Sequence, residues 1–421
     1  MSASLLILFL AAALAVLGNA LLMTLTSVHL SLAGVALEVT GPVTACYYLG
    51  LILGSLRGPP VIARVGHIRS FVGFGVLVVV ASLLMPLVTP GWWWVPLRLA
   101  AGFGMAGLFV VIESWLQDRV DPAYRGRVLG LYMVVNFGAI AAGQQLLALG
   151  VPGDFQLYSI AAILVALALP VLAVQRVEAP AIRPMVRLKL VALYRTSPLG
   201  LVGVALVGAA NGAFTSLMPI VGKVLGLPLS EVALLLTLAV LGGLAGQIPV
   251  GKLSDRFDRR RVLAFDAGLL VLLAMAMAGG ALLMPSLMVP LAFAYGIAAF
   301  TLYPLCVAHA QDFAGPDQRI GTASGLLLAF GAGATLGPIL VVPAMTVLGP
   351  VGLFAFTGGV AGLLALYTLY RMGKRAAPPA ARFVATPTTT PTVTQLDPLV
   401  PPPEPDAPPT AGSSPGPDRN G

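Results

Sequence analysis

The sequence predicts an all-α polytopic membrane protein, with twelve transmembrane helices in two pseudo-symmetric six-helix bundles. Three observations predict it: a scarcity of charge, twelve apolar runs of membrane-spanning length, and an internal repeat carried by polar residues. Only 10% of the 421 residues are charged and the mean hydropathy is +0.94, against about 25% charged residues in soluble globular chains. Too little charge remains to cover a soluble surface, so a soluble enzyme or a nucleic-acid binder is excluded. The formal net charge of +8 reads instead as loops on one face of a membrane.

Crossing about 30 Å of hydrocarbon takes roughly 20 apolar residues. Twelve such runs occur, at 5–28, 39–57, 68–89, 94–118, 128–149, 155–175, 198–222, 229–251, 262–284, 287–312, 320–343 and 350–371. Helix is the conformation expected of each, because an unpaired backbone amide in lipid is too costly. Ala11 and Ala13 offer a signal-like A-x-A in the first run. That run lacks a basic leader and its polar pattern recurs in the seventh, so it is read as a span.

An even number of spans puts both termini on one side, and basic residues say which. Arg57, Arg64 and Arg69 follow span two, while Arg119, Arg125 and Arg127 follow span four. Arg176, Arg183, Arg187, Lys189 and Arg195 follow span six, and Lys252, Arg256 and Arg259 to Arg261 follow span eight. With Arg319 and five residues at the C-terminal end, 22 of 24 Lys and Arg residues fall on one face, leaving Arg98 and Lys223. Both termini are therefore expected to be cytoplasmic, in a bacterial inner membrane. Trp92, Trp93 and Trp94 then fall on the outer face as an interfacial belt.

The expected organisation is an N-terminal bundle over 1–175, a central cytoplasmic loop over 176–197, a C-terminal bundle over 198–372 and a tail over 373–421. Within the loop, Val186–Arg195 mixes basic and apolar residues, as a short helix on an anionic leaflet would. The tail holds 13 prolines between 376 and 421, with Thr, Ala and Ser; it cannot bury a core and is expected to be disordered.

A shift of 192 residues superposes Asn19, Gly34, Gly50 and Gly54 on Asn211, Gly226, Gly242 and Gly246. A shift of 194 then aligns Gln117, Asp118, Pro122 and Arg125 with Gln311, Asp312, Pro316 and Arg319. Two parallel six-helix halves are what a rocking carrier needs, with its site at the midplane between them.

The stretch Gly251–Lys–Leu–Ser–Asp255–Arg256–Phe–Asp–Arg–Arg–Arg261 resembles the loop signature of the major facilitator superfamily, G-x-L-x-D-R-x-G-R-R, with Asp258 where glycine is usual. The N-terminal copy, Pro59 to Arg69, keeps Arg64, Gly66 and Arg69 but has Ala63 in place of the aspartate. Val111–Ile–Glu113–Ser–Trp, Arg125–Gly–Arg127–Val–Leu and Phe300–Thr–Leu–Tyr303–Pro304 further resemble the YcaD-like branch. The resemblance covers about 1–372. It implies the superfamily fold and alternating access, and the branch supplies no substrate.

Three groups of residues are candidates for function. The first is a latch: Arg64, Arg69, Asp118 and Arg125 in one half, Asp255, Arg256, Asp312 and Arg319 in the other. Charge-assisted bonds among them would hold the cytoplasmic ends together in the outward-facing state and break on inward opening; the alternative is loop solvation and topology alone. The second group is Arg98 and Glu113, for coupling or gating. Glu113 lies about 7 Å deeper than Asp118, where an acid is costly unless paired or protonated; it either carries a proton, closes a gate, or pairs with Arg125 or Arg127. Arg98, with Gly102, Gly104 and Gly107, resembles the family's R-x-x-x-G-x-G pattern, or else snorkels to the outer interface. Asp266 is read as pairing with the Arg259–Arg261 run, and His309 as belonging to the polar end at Asp312.

The third group is at mid-membrane depth: Asn19, Tyr47, Asn136, Asn211, Thr301 and Tyr303, with Tyr48 and Thr215 at similar depth. They line a shared cavity, or the amides serve as helix–helix hydrogen bonds. Cys46 and Cys306 lie in apolar runs and the histidines are scattered at 29, 67 and 309, so no disulfide, metal site or cofactor is expected. Neither a nucleophile–base set nor a phosphate-cradling loop is seen, so no enzyme activity is expected and energy comes from a gradient. The fifth span has Gly138 and Gly143 but no Gly-Pro pair, which departs from the drug–proton antiporter pattern; Gly337 and Pro338 place such a bend in span eleven. The reading is a monomeric secondary transporter moving a small solute through the lipid bilayer, with proton coupling by symport or antiport. An uncoupled facilitator, a lipid flippase and a non-transporting sensor are the alternatives.

Overall fold

The computed structural model describes residues 3–120, 124–173, 190–315 and 318–374. The tail from 375, most of the central loop and the side chain of Arg125 lie outside the described residues, and with them the expected disorder of the tail and the expected pairing of Arg125. The N-terminal half runs α1 (Ala3–Leu32), α2 (Leu37–Val65), α3 (His67–Leu84), α4 (Trp94–Arg119), α5 (Arg125–Gln145) and α6 (Phe155–Ala173). A short α7 (Leu190–Thr196) leads into α8 (Pro198–Val224), α9 (Leu229–Arg256), α10 (Arg259–Leu283), α11 (Met288–Gln311), α12 (Arg319–Leu340), α13 (Val342–Leu348) and α14 (Val351–Met372). Twelve helical spans among the described residues are long and apolar enough to cross a membrane, the eleventh being α12 continued by α13. One apolar core fills α1–α6 and a second fills α7–α14.

The halves repeat in their packing as well as their order. The α1–α2 and α8–α9 turns both use a glycine with positive φ, Gly34 at 69° and Gly226 at 77°, a backbone region that side chains disfavour. Gly102 on α4 abuts the Tyr47 carbonyl of α2, and Gly296 on α11 abuts the Ala239 carbonyl of α9. Gly143 against Leu17 and Gly337 against Ala209 form the corresponding pair. Each match uses an offset of 192 for one helix and 194 for the other.

Helix lengths correct two expected loops. Arg57 and Arg64 lie on α2, and Lys252, Asp255 and Arg256 lie on α9, leaving only Gly66 and the Phe257–Asp258 pair as connections. At about 1.5 Å per residue, a helix of 28 or 29 residues exceeds the roughly 30 Å hydrocarbon by two turns or more; the basic residues ride on the protruding ends. Trp92 and Trp93 are exposed as a belt requires, but Trp94 is fully buried. It stands edge-on to His29, with centroids 5.1 Å apart, because it opens α4 and points into the N-terminal core.

Asp258, the departure from the signature glycine, has a structural job. It caps α10, its Oδ1 accepting from the Arg260 N–H at 3.0 Å while its carboxylate takes the Arg260 side chain at 2.8 and 3.1 Å. These bonds hold its carboxyl below the usual carboxylate range. A depressed value means the stabilisation is present above the unfolded carboxylate value and is lost as pH falls through the folded one. Asp258→Ala should cost about 1 kcal/mol at neutral pH and nothing in strong acid, read as a thermal midpoint at the two pH values.

Candidate solute-binding cavity

A cavity of about 300 Å³ lies between the two halves. Its polar lining includes Asn19, Tyr47, Tyr48, Asn136, Asn211, Thr215, Gln247 and Tyr303, among aromatic walls from Phe109, Phe137, Phe300 and Phe330. Asn19 on α1 donates through Nδ2 to the Tyr47 hydroxyl at 2.8 Å, which fixes both across the α1–α2 seam. Asn136 turns back to its own helix, donating to the Tyr132 carbonyl at 2.8 Å. Amide oxygens of Asn19, Gln144 and Gln247 have no hydrogen-bond partner among the described residues. All three residues line the cavity, so a bound solute that donates hydrogen bonds would meet waiting acceptors.

The halves touch at one end of this cavity. Tyr48 and Thr215 share a hydrogen bond at 2.7 Å, and Thr215 also gives its own hydrogen to the Asn211 carbonyl, so the tyrosine is the donor between them. Gln145 donates to Thr237 at 2.7 Å, and Thr237 to the Ala141 carbonyl at 3.2 Å. Gly41 on α2 packs on Pro338 of α12 at the same end. The end carrying the basic residues lies opposite.

Thr301, expected in the cavity, is not there. It follows cavity-lining Phe300 by one position, turned away from the cavity, and meets Asp266 instead, Oγ1 to Oδ2 at 2.7 Å. Rotation about the helix axis decides this: Phe300, Tyr303 and Pro304 point to the cavity and Thr301 points to α10. Asp266 accordingly does not pair with the Arg259–Arg261 run: Arg259 and Arg260 have other acids, and Arg261 is exposed.

Arg98 does not snorkel. It is fully buried, with Nη2 2.6 Å from the Met23 sulfur and the guanidinium 4.7 Å over the Tyr47 ring. Met23 and Tyr47 both line the cavity, so the cation stands one side chain behind its wall. Glu113 is also fully buried but lies away from the cavity, accepting from the Tyr132 hydroxyl at 3.2 Å. Arg127 is exposed on α5 and is not its partner.

At the basic end the charge cluster centres on a residue the sequence hid within a run of three arginines. Arg259 is buried, with Nε 3.2 Å from Asp312 and Nη2 3.6 Å from Asp255. Arg256 is exposed instead, and Arg319 contributes its carbonyl, which accepts from Gln311 at 3.0 Å. In the N-terminal copy Arg64, Arg69 and Asp118 are exposed, and no ion pair joins these three among the described residues. Ala63 removes the acid, and His67 stands where Arg259 stands, stacked on Trp115 with centroids 6.0 Å apart.

Comparison with known sequences decides the family. The sequence model of the Major Facilitator Superfamily matches residues 5–330 and 200–403. The chain belongs to the major facilitator superfamily. This transporter is 30% identical over 370 residues to a protein of Enterobacter sp. (strain 638) named an uncharacterized MFS-type transporter, covering 86% of this chain and 94% of that one. It is 29% identical over 370 residues to the MFS-type transporter YcaD of Salmonella typhi, with the same coverage. Among solved structures the fold is similar to the nucleoside transporter NupG, with TM-score 0.76 and 13% identity over 89% of this chain and all of that one. It is also similar to a D-xylose–proton symporter, with TM-score 0.67 and 15% identity over 86% and 96% of the two chains.

Of the cavity, Gln144 and Gln247 escaped sequence reading. Both are amides inside apolar runs, the same signal that singled out Asn19 and Asn211.

Proposed function

We propose that the chain is a secondary transporter of the bacterial inner membrane that moves a small, neutral, hydroxyl-bearing solute by alternating access, coupled to protons. The observation that carries this reading is the cavity between the halves, with three unpaired amide oxygens set among aromatic walls. Such walls take the flat or apolar face of a solute while the amides take its hydroxyl or amine hydrogens. The pentose and nucleoside cargo named for the two solved relatives has that character, and a cavity near 300 Å³ is at the small end of ligand sites. The positive-inside distribution supports cytoplasmic termini. With that orientation the hydrogen bonds from Tyr48 and Gln145 close the outer end, and this is an inward-facing state. Nothing in the reading requires more than one copy.

The test uses proteoliposomes under an imposed pH gradient and a defined mixture of pentoses, hexoses and nucleosides, followed by mass spectrometry. At least one component should move faster than in empty liposomes. Gln247→Leu, which removes one acceptor facing the cavity, should weaken its apparent affinity about tenfold, the worth of one buried hydrogen bond. No movement of any component in either gradient direction overturns the proposal.

A further inference from the structure

We propose that Asp266 is a proton-binding site, occupied in this conformation, and that its proton acts on the cavity through α11. Thr301 Oγ1 lies 2.7 Å from Asp266 Oδ2 and also 2.7 Å from the Ile297 carbonyl oxygen. A hydroxyl has one hydrogen to give. If Asp266 were ionised, one of these two short oxygen–oxygen contacts would have no hydrogen in it and would repel. With Asp266 as the acid, its O–H donates to Thr301 and the Thr301 O–H donates to Ile297, so both contacts are hydrogen bonds.

Surroundings agree with the count. Asp266 is buried on α10, and Thr301 is its hydrogen-bond partner among the described residues. The thiol of Cys306 on α11, packed against Gly203 of α8, is the neighbouring titratable group on that helix. On α14, also packed against α10, no charged residue precedes Arg371, and α9 places its charges at Glu231, Lys252, Asp255 and Arg256, near its ends. Of the nearest cations on α10, Arg259 is engaged by Asp312 and Asp255, and Arg260 by Asp258. An ionised carboxylate there would lack a counter-charge, at a cost of several kcal/mol.

Packing does not explain the acid, because the other half shows how packing solves the same place. Helices α3 and α10 begin 192 residues apart, at His67 and Arg259, and α4 and α11 begin 194 apart, at Trp94 and Met288. Asp266 therefore corresponds to Phe74 and Thr301 to Gly107. In the N-terminal half the Phe74 ring fills the space over Gly107 so closely that any Cβ on the glycine would strike it. One half uses a ring in a glycine slot; the other holds an acid and a hydroxyl.

Helix α11 gives the proton a route to the cavity. Pro304 has no N–H, so the Phe300 carbonyl one turn earlier loses its helical partner. Gln247, a cavity residue, reaches that carbonyl through Nε2 at 3.4 Å. The helix is thus weakened at the turn where Thr301 meets Asp266 on one side and Phe300, Tyr303 and Pro304 line the cavity on the other. Loss of the proton would draw the Thr301 hydrogen to the carboxylate and away from Ile297, loosening the same turn. Asp266 is the acid, Thr301 the positioning residue, and the coupling role rests on the proton-coupled reading above.

The test is infrared spectroscopy of the purified full-length protein, with no solute added. A protonated carboxyl band present at pH 7 should vanish in Asp266→Asn, persist in Glu113→Gln, and shift in Thr301→Val as its hydrogen bond is lost. Asparagine donates to Thr301 as the neutral acid does, so this variant should fold with an unchanged thermal midpoint. A neutral-pH band identical in wild type and Asp266→Asn overturns the site. In the liposome assay, with the same sugar and nucleoside mixture and a trapped pH dye, Asp266→Asn should move solute without protons; retained proton movement overturns the coupling role. If the wild type itself moves solute without protons, the coupled reading fails, and the band still decides whether Asp266 holds a proton.

Discussion

Gly296→Leu is expected to abolish accumulation of folded transporter, a larger effect than the loss of any cavity residue. A Cβ at Gly296 would collide with the carbonyl oxygen, carbonyl carbon and Cα of Ala239, all backbone atoms of α9. Flexible side chains can move aside; a helix backbone moves only by separating from its neighbour. Extra methylenes in a packed core cost about 1–3 kcal/mol when side chains can adjust, and here α9 and α11 must part along their length. In lipid that seam has no hydrophobic drive to restore it, since small-residue packing is what holds such helices together. Gly102→Leu, which meets the Tyr47 backbone at the repeat-related seam, should behave alike. Gly279→Ala is the control: nothing lies within 4 Å of its Cβ position, and alanine favours helix by up to about 1 kcal/mol. Gel-filtration profiles of detergent extracts would check all three. A monodisperse Gly296→Leu protein at wild-type yield would show that α9 and α11 are not held at this distance.

The spans and the repeat were legible in the sequence for the same reason: hydropathy and glycine spacing are properties of one helix and of its close approach to another. What the sequence did not carry was rotation about the helix axis. Thr301 and Tyr303 lie two residues apart at one depth, yet one faces Asp266 and the other the cavity. The same ambiguity hid Arg259, the inward-turned member of Arg259–Arg261 that reaches Asp312. Asn19, Tyr47, Asn136 and Asn211 line the cavity, and they stand out in the sequence because polar side chains deep in an apolar run need a polar neighbour, whichever way they turn. Depth alone left Arg98 open between a coupling position and the outer interface; Tyr47 and Met23, brought over it by tertiary packing, keep it inside.

Asp312→Ala should destabilise the transporter by about 3 kcal/mol, the lower end of the range for breaking a buried ion pair by removing one partner. Arg259 and Asp312 are both only 3% exposed at the side chain, so the orphaned guanidinium cannot turn to water. Asp255, at 3.6 Å and 34% exposed, compensates in part, which is why the lower end applies. Arg259→Gln with Asp312→Asn should lose much less than the two single changes added, because no charge is then left buried alone. Additive losses in that double-mutant cycle would mean that the pair is not coupled. The pair also ties together the ends of α9, α10 and α11, whereas at the repeat-related ends of α2 and α3 Ala63 and the stacked His67 stand in place of Asp255 and Arg259. The acid and the arginine that tie one half's end are thus replaced in the other by an alanine and a histidine. Backbone amides around Ala63–Ser70 should exchange faster than those around Asp255–Val262, and Asp312→Ala should bring the two rates together by loosening the second.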